Sequence, residues 1–100
     1  MFELPKDVKV IKAGGTYRLL LHIFNKDAMA CNDGKIRYKY DYPSQLCLAE
    51  EYYHLQKMNK LGSLTYLAAW LYYNKKHGYD NNPLEVEAKK WAKEQCGIMV

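Results

Sequence analysis

TYRLLLHIFNKDAMAC, residues 16–31, is the stretch on which the fold turns. Read at a helical period, Tyr17, Leu20, Leu21, Phe24, Ala28 and Cys31 form one apolar stripe. Arg18, His22, Asn25 and Lys26 gather on the opposite side, and only Asp27 breaks the pattern. Thr16 can serve as N-cap, and Gly34 follows the end. Read as a strand, residues 17–24 are apolar on nearly both faces and require a central place in a sheet. The helical template fits with a single exception and is preferred. A β-meander through residues 7–41 is the alternative.

Upstream, residues 7–12 (DVKVIK) alternate weakly and read as a short strand, broken by Gly14-Gly15. Gly14-Gly15-Thr16 lacks the spacing and the lysine of a phosphate loop, so it reads as a turn and a cap. Downstream, Asn32-Asp33-Gly34 supplies a turn into residues 35–42 (KIRYKYDY), the cleanest strand of the chain. Ile36, Tyr38, Tyr40 and Tyr42 fall on one face; Lys35, Arg37, Lys39 and Asp41 fall on the other.

Three helices follow, at about 44–60, 63–77 and 83–96. Ser44 caps the first, which turns Leu48, Tyr52, Leu55 and Met58 inward and ends at Gly62. Ser63 caps the second, and Gly78 follows it as a C-terminal stop. That helix is apolar almost all round, which predicts the buried centre of the domain, with Leu67, Ala68, Trp70 and Leu71 inside. Asn82-Pro83 is a good cap and first-turn pair for the third, whose Leu84, Ala88 and Trp91 face inward. Glu85 and Lys89 are expected to pair on its wet side. The elements together predict an α+β, helix-dominated fold: three C-terminal helices packed on an N-terminal half with short strands, in one compact domain over residues 1–100.

At 100 residues and 49% hydrophobic, the chain has an ordinary globular composition, neither disordered nor rich enough in apolar runs for a membrane span. Glu3 and Asp7 stand where a secretory leader carries positive charge, so a cytoplasmic setting is expected. The formal net charge is +4, but only Arg18 and Arg37 are arginines, which lowers the expectation of sequence-specific DNA reading. Cys31, Cys47 and Cys96 are odd in number and form no C-x-x-C, so three free thiols are expected rather than a zinc or redox motif.

Chemistry-bearing motifs are sparse. His22, His54 and His77 stand on three different predicted elements. Glu51-Tyr52-Tyr53-His54 spells E-x-x-H, the ligand pair of di-iron bundles, but no second copy exists. It reads as a solvated helix face. No nucleophile elbow or other local signature selects a Cys–His pair. No metal, cofactor or catalytic residue is therefore expected.

Tyrosine is the anomaly: ten residues, against two phenylalanines. Tyrosine pairs a large apolar ring with a hydroxyl that wants a partner or water, and it is enriched at interfaces. Tyr66, Trp70, Tyr73 and His77 form one aromatic stripe, and Tyr79 lies in a loop. Two expectations follow. The first is a small non-catalytic interaction module that binds or inhibits a protein partner, or self-associates, through its Tyr-rich surface. Its size and lack of motifs match accessory proteins of viral or mobile-element type. The second is nucleic-acid binding by an exposed strip of Lys35, Arg37 and Lys39, with Tyr42 or Tyr79 stacking on bases. The competing reading of that strip is the lysine-guarded edge of a sheet. The apolar residues 97–100 are expected to dock back on the core.

Overall fold

The computed structural model describes residues 2–23, 26–31 and 33–97. Among these, the N-terminal half forms β1 (Val10–Lys12), α1 (Gly15–Ile23), β2 (Ala28–Ala30) and β3 (Ile36–Tyr38). The C-terminal half forms α2 (Gln45–Leu61), α3 (Ser63–His77) and α4 (Pro83–Gln95). The fold is α+β and helix-dominated.

The deciding stretch is neither one helix nor one strand. It is helical through Ile23, and the Lys26 N–H reaches back to the Leu21 carbonyl at 2.9 Å. Ala28–Ala30 then pairs antiparallel with β3, Ala28 opposite Tyr38. Strand pairing overrides the helical period in the second half of the stretch, a tertiary effect that local pattern does not contain. Phe24 and Asn25 lie outside the described residues.

The sheet order is β1-β3-β2, with β1 parallel to β3 and Val10 opposite Ile36. The meander alternative is thereby corrected, and β3 is the central strand, not an edge. It is also shorter than the expected 35–42. After Tyr38 the Lys39 N–H turns to the Asp27 carbonyl at 2.8 Å, and residues 39–41 bend away. Tyr40 and Tyr42 therefore point to water, 58% and 64% exposed, rather than into the core.

The helix ends follow from their capping chemistry. Ser44 Oγ accepts the Cys47 N–H at 3.2 Å, and Asn82 Oδ1 accepts the Leu84 N–H at 3.0 Å ahead of Pro83. Gly62, not Ser63, occupies the cap between α2 and α3. Its φ of 90° lets one residue end one helix and begin the next, a conformation that side chains resist.

The core gathers Phe2, Ala28, Ile36, Leu48, Ala49 and Ala92. Helix α2 lies between the sheet and α4 and is the centre of the fold. Ala49, Ala88 and Ala92 are fully buried, and their small side chains let the backbones of α2 and α4 approach closely. The expectation that α3 is the buried centre is overturned. Of α3 only Tyr66 and Trp70 are buried; Leu67, Ala68 and Leu71 are exposed, and Leu64 is 83% exposed. An apolar helix without a narrow stripe leaves its buried side undecided, and here the aromatic side won. All three cysteines are free thiols. No helix among the described residues is long and apolar enough to cross a membrane. Residues 98–100, expected to dock on the core, lie outside the described residues.

Candidate functional site

Two acidic residues stand where helical periodicity wants apolar ones. Glu51 shares the inward face of α2 with Leu48 and Leu55, and Glu85 shares that of α4 with Ala88 and Ala92. Burying a carboxylate is costly unless it is paired and hydrogen-bonded, so the surrounding groups decide whether the fold survives.

They are supplied from four elements and the loop at Lys26. Glu51 Oε1 accepts the Ala30 N–H at 3.0 Å, so a side chain from α2 satisfies a backbone donor of edge strand β2. Lys26, just beyond α1, places its ammonium 4.0 Å from Glu51 Oε2 and 3.9 Å from Glu85 Oε2. The indole N–H of Trp70 donates to Glu85 Oε2 at 2.7 Å. His54 is held at Nδ1 by the Tyr66 hydroxyl, while its Nε2 stands 3.0 Å from Glu85 Oε2. That approach suits an ion pair when the ring is protonated, but it lacks hydrogen-bond geometry, so Nε2 has no hydrogen-bond partner among the described residues. Asn82, fully buried, anchors the assembly by donating Nδ2–H to the Trp70 carbonyl at 3.1 Å.

The electrostatics follow. Burial works against the charge on Glu85, but the His54 ring, the Lys26 charge and the Trp70 N–H outweigh it and hold the carboxyl down at about 2. Burial likewise opposes the Lys26 ammonium; Glu51 and Glu85 outweigh it and raise its pKa above the ordinary lysine value. Burial, and then the neighbouring Glu51, push the Glu50 carboxyl upward, opposite to Glu85. Burial raises the Cys31 thiol and pushes that of Cys47 up to about 12, which makes both poor nucleophiles at neutral pH.

These placements correct three readings. The E-x-x-H face is not solvated: Glu51 and His54 are each 4% exposed. Glu85 is not a wet-side partner of Lys89, being 1% exposed. Lys26 is not on an outer face of α1. Even so, among the described residues no group of three or more His, Cys, Asp and Glu side chains is arranged to hold a metal ion.

The basic strip does not exist as three free cations on an open face. Arg37 is buried against α1, its guanidinium 3.8 Å from the centre of the Tyr17 ring. Its two terminal nitrogens donate to Asp33 at 3.0 and 2.8 Å. That bidentate pairing raises the Arg37 pKa, even though burial opposes the charge, and lowers that of Asp33. Lys35 and Lys39 are half-buried, and Lys39 Nζ lies 3.4 Å from His22 Nδ1. The reason is the central position of β3, which puts a helix over the face that was expected to be open.

The aromatic stripe also divides. Tyr66 and Trp70 turn inward to the cluster, and Tyr73 stacks on His77 at 6.3 Å between ring centres. The Tyr79 ring is half-buried between the ammonium groups of Lys26 and Lys89, at 5.7 and 5.1 Å. Tyr42 alone of the expected contact tyrosines is open, leaning on Tyr38. Exposed apolar side chains gather elsewhere, on the outward face of α3 at Leu64, Leu67, Leu71 and Tyr72, with Leu19 and Ile23 exposed on α1. Comparison of the chain with protein-family models, with curated proteins and with solved structures finds no match.

Proposed function

We propose that this chain is a small non-catalytic module that binds a protein partner through the outward face of α3. One observation carries the reading. Leu64, Leu67 and Leu71 stand exposed at i, i+3 and i+7, with Tyr72 beside them and Leu61 of α2 at their start. An apolar helical stripe of this kind is the surface that an amphipathic helix covers.

Charge indicates what covers it. Helix α3 has no acidic residue, and Lys75, Lys76 and His77 close its C-terminal end. A second copy lying antiparallel brings those cations to the positive N-terminal end of its neighbour, and a parallel copy brings them to each other. The complementary occupant is an amphipathic helix with leucine-like anchors and acidic residues toward the lysines. The nucleic-acid alternative loses its footprint, because Arg37 is committed to Asp33 and Tyr17.

The test is a titration of a labelled acidic amphipathic peptide and of its charge-reversed counterpart, with the chain and its Leu71→Asp variant. Leu71 is 44% exposed and belongs neither to the core nor to the residues that hold the buried charges. The acidic peptide is expected to bind, and the variant to weaken it by about tenfold or more, as loss of an anchor does. Equal binding of the basic peptide, or no binding of the acidic one, overturns the reading. A dimer that Leu71→Asp dissolves replaces the acidic partner by a second copy.

A further inference from the structure

A cavity of about 250 Å³ reaches from the surface to the buried charges. Its mouth includes the exposed Leu64 and Leu67, and its sides include Met29, Met58, Tyr17 and Trp70. The inner end is formed by Lys26, Glu51, His54, Tyr66 and Glu85. This is the usual composition of a small-molecule site: apolar walls with a few convergent polar groups at one end.

The inner end holds an open acceptor. Two carboxylates stand there with the Lys26 ammonium and the His54 ring. Lys26 stands 4.0 and 3.9 Å from them, in contact as a charge but too far to donate a hydrogen bond to either. Glu51 Oε2, which accepts no hydrogen bond among the described residues, is a position that a cationic donor satisfies. Rings beside the cavity add attraction for a cation, as they already do for Lys26 over Trp70 at 5.6 Å.

We propose that this cavity binds a small organic cation, a primary or secondary amine carrying one apolar ring or a chain of similar size. The size limit follows from the volume. An apolar cavity of about 150 Å³ accommodates benzene, so this one takes a ring with a short arm. The ammonium sits toward Glu51 and Glu85, and the ring lies among Met29, Met58 and Leu67. An anion of the same shape meets two carboxylates, and a neutral analogue forgoes the charge-assisted hydrogen bond. The site opens beneath the partner surface on α3, with Leu64 and Leu67 common to both.

Three probes that carry one phenyl ring on a two-carbon arm separate the possibilities: 2-phenylethylamine, 2-phenylethanol and phenylacetate, titrated into the full chain by calorimetry and NMR shift mapping. The amine is expected to bind about tenfold or more tightly than the alcohol, and the acid not at all. Glu51→Gln keeps an acceptor for the Ala30 N–H, and it should weaken the amine by a similar factor while leaving the alcohol unchanged. Met58→Trp fills the cavity from α2 without touching the charges and should abolish binding of amine and alcohol alike. If circular dichroism shows Glu51→Gln unfolded, the probe ranking and Met58→Trp carry the test alone. An amine that binds no better than the alcohol, binding that survives Met58→Trp, or a preference for the acid overturns the proposal.

Discussion

The Trp70 indole N–H donates to Glu85 Oε2 at 2.7 Å, tying the buried side of α3 to a carboxylate at the first turn of α4. Both residues are buried, and each explains the other. The carboxylate gives the indole N–H its partner, and the indole helps to hold the carboxylate charged.

Removing that carboxylate should be among the most damaging single changes in the chain. Glu85→Ala leaves the Lys26 ammonium beside Glu51 alone and removes the carboxylate to which the Trp70 N–H donates. The expected loss is about 3–5 kcal/mol in urea unfolding, with Glu85→Gln losing less because an amide oxygen still accepts from the indole. A loss below about 1 kcal/mol for Glu85→Ala would show that the cluster contributes little to the fold.

Acid should reveal the same group. The carboxyl of Glu85 is held at about 2 in the fold against an ordinary 4.5, so the unfolded chain binds its proton first. Its contribution is complete above about pH 4.5 and disappears as the pH falls toward 2, on the order of 3 kcal/mol in all. Glu50, shifted upward, contributes in the opposite sense over the acid range. The measurement is therefore the difference between the native chain and Glu85→Gln, followed by urea midpoints from pH 7 to pH 2. That difference should shrink steadily below pH 4.5; a constant difference contradicts the depressed carboxyl.

Core substitutions separate α2 and the sheet from α3. Ile36 is fully buried at the centre of the sheet, and Ile36→Ala should cost about 2–5 kcal/mol. Leu71, at 44% exposed, should cost about 1 kcal/mol or less when cut to alanine. Reversal of that order would place α3, not α2, at the centre.

Asn82 does two jobs at once, capping α4 with its oxygen and donating to the Trp70 carbonyl with its nitrogen. Asn82→Asp keeps the cap and loses the donor; Asn82→Ala loses both. Thermal unfolding should rank native above Asp above Ala, with the alanine variant down by about 2–4 kcal/mol from the cap and the buried hydrogen bond together. Equal stability of the aspartate and native chains would show that the Trp70 carbonyl does not depend on it.

Much of the helical half was legible along the chain because its signals are local. Ser44, Gly78 and the Asn82-Pro83 pair act on backbone groups within a turn of themselves, and they behave as their chemistry requires. Asp33-Gly34 turns the chain ahead of β3 in the same way, whereas α1 already begins at Gly15, so Thr16 lies inside the helix instead of capping it, and Asn32 is outside the described residues. The buried cluster had a signal too. Glu51 follows Leu48 and precedes Leu55 at helical spacing, and Glu85 precedes Ala88 and Ala92 in the same way. Their spacing puts both carboxylates on the apolar side, whereas their charge favours water.

What chain order alone determined is what neighbours a few residues apart can decide: caps, turns, helix extents and the free state of three scattered cysteines. The tertiary structure decided the rest. Lys26, Glu51, His54, Trp70 and Glu85 come from four segments, and a buried charge is tolerated only where partners distant in sequence arrive to neutralise it. The parallel pairing of β1 with β3 made the tyrosine-rich strand central, and that buried Arg37 under Tyr17. Which side of a largely apolar α3 turned inward follows the hydrogen-bond needs of Tyr66 and Trp70, which His54 and Glu85 meet, and the leucines were left facing water.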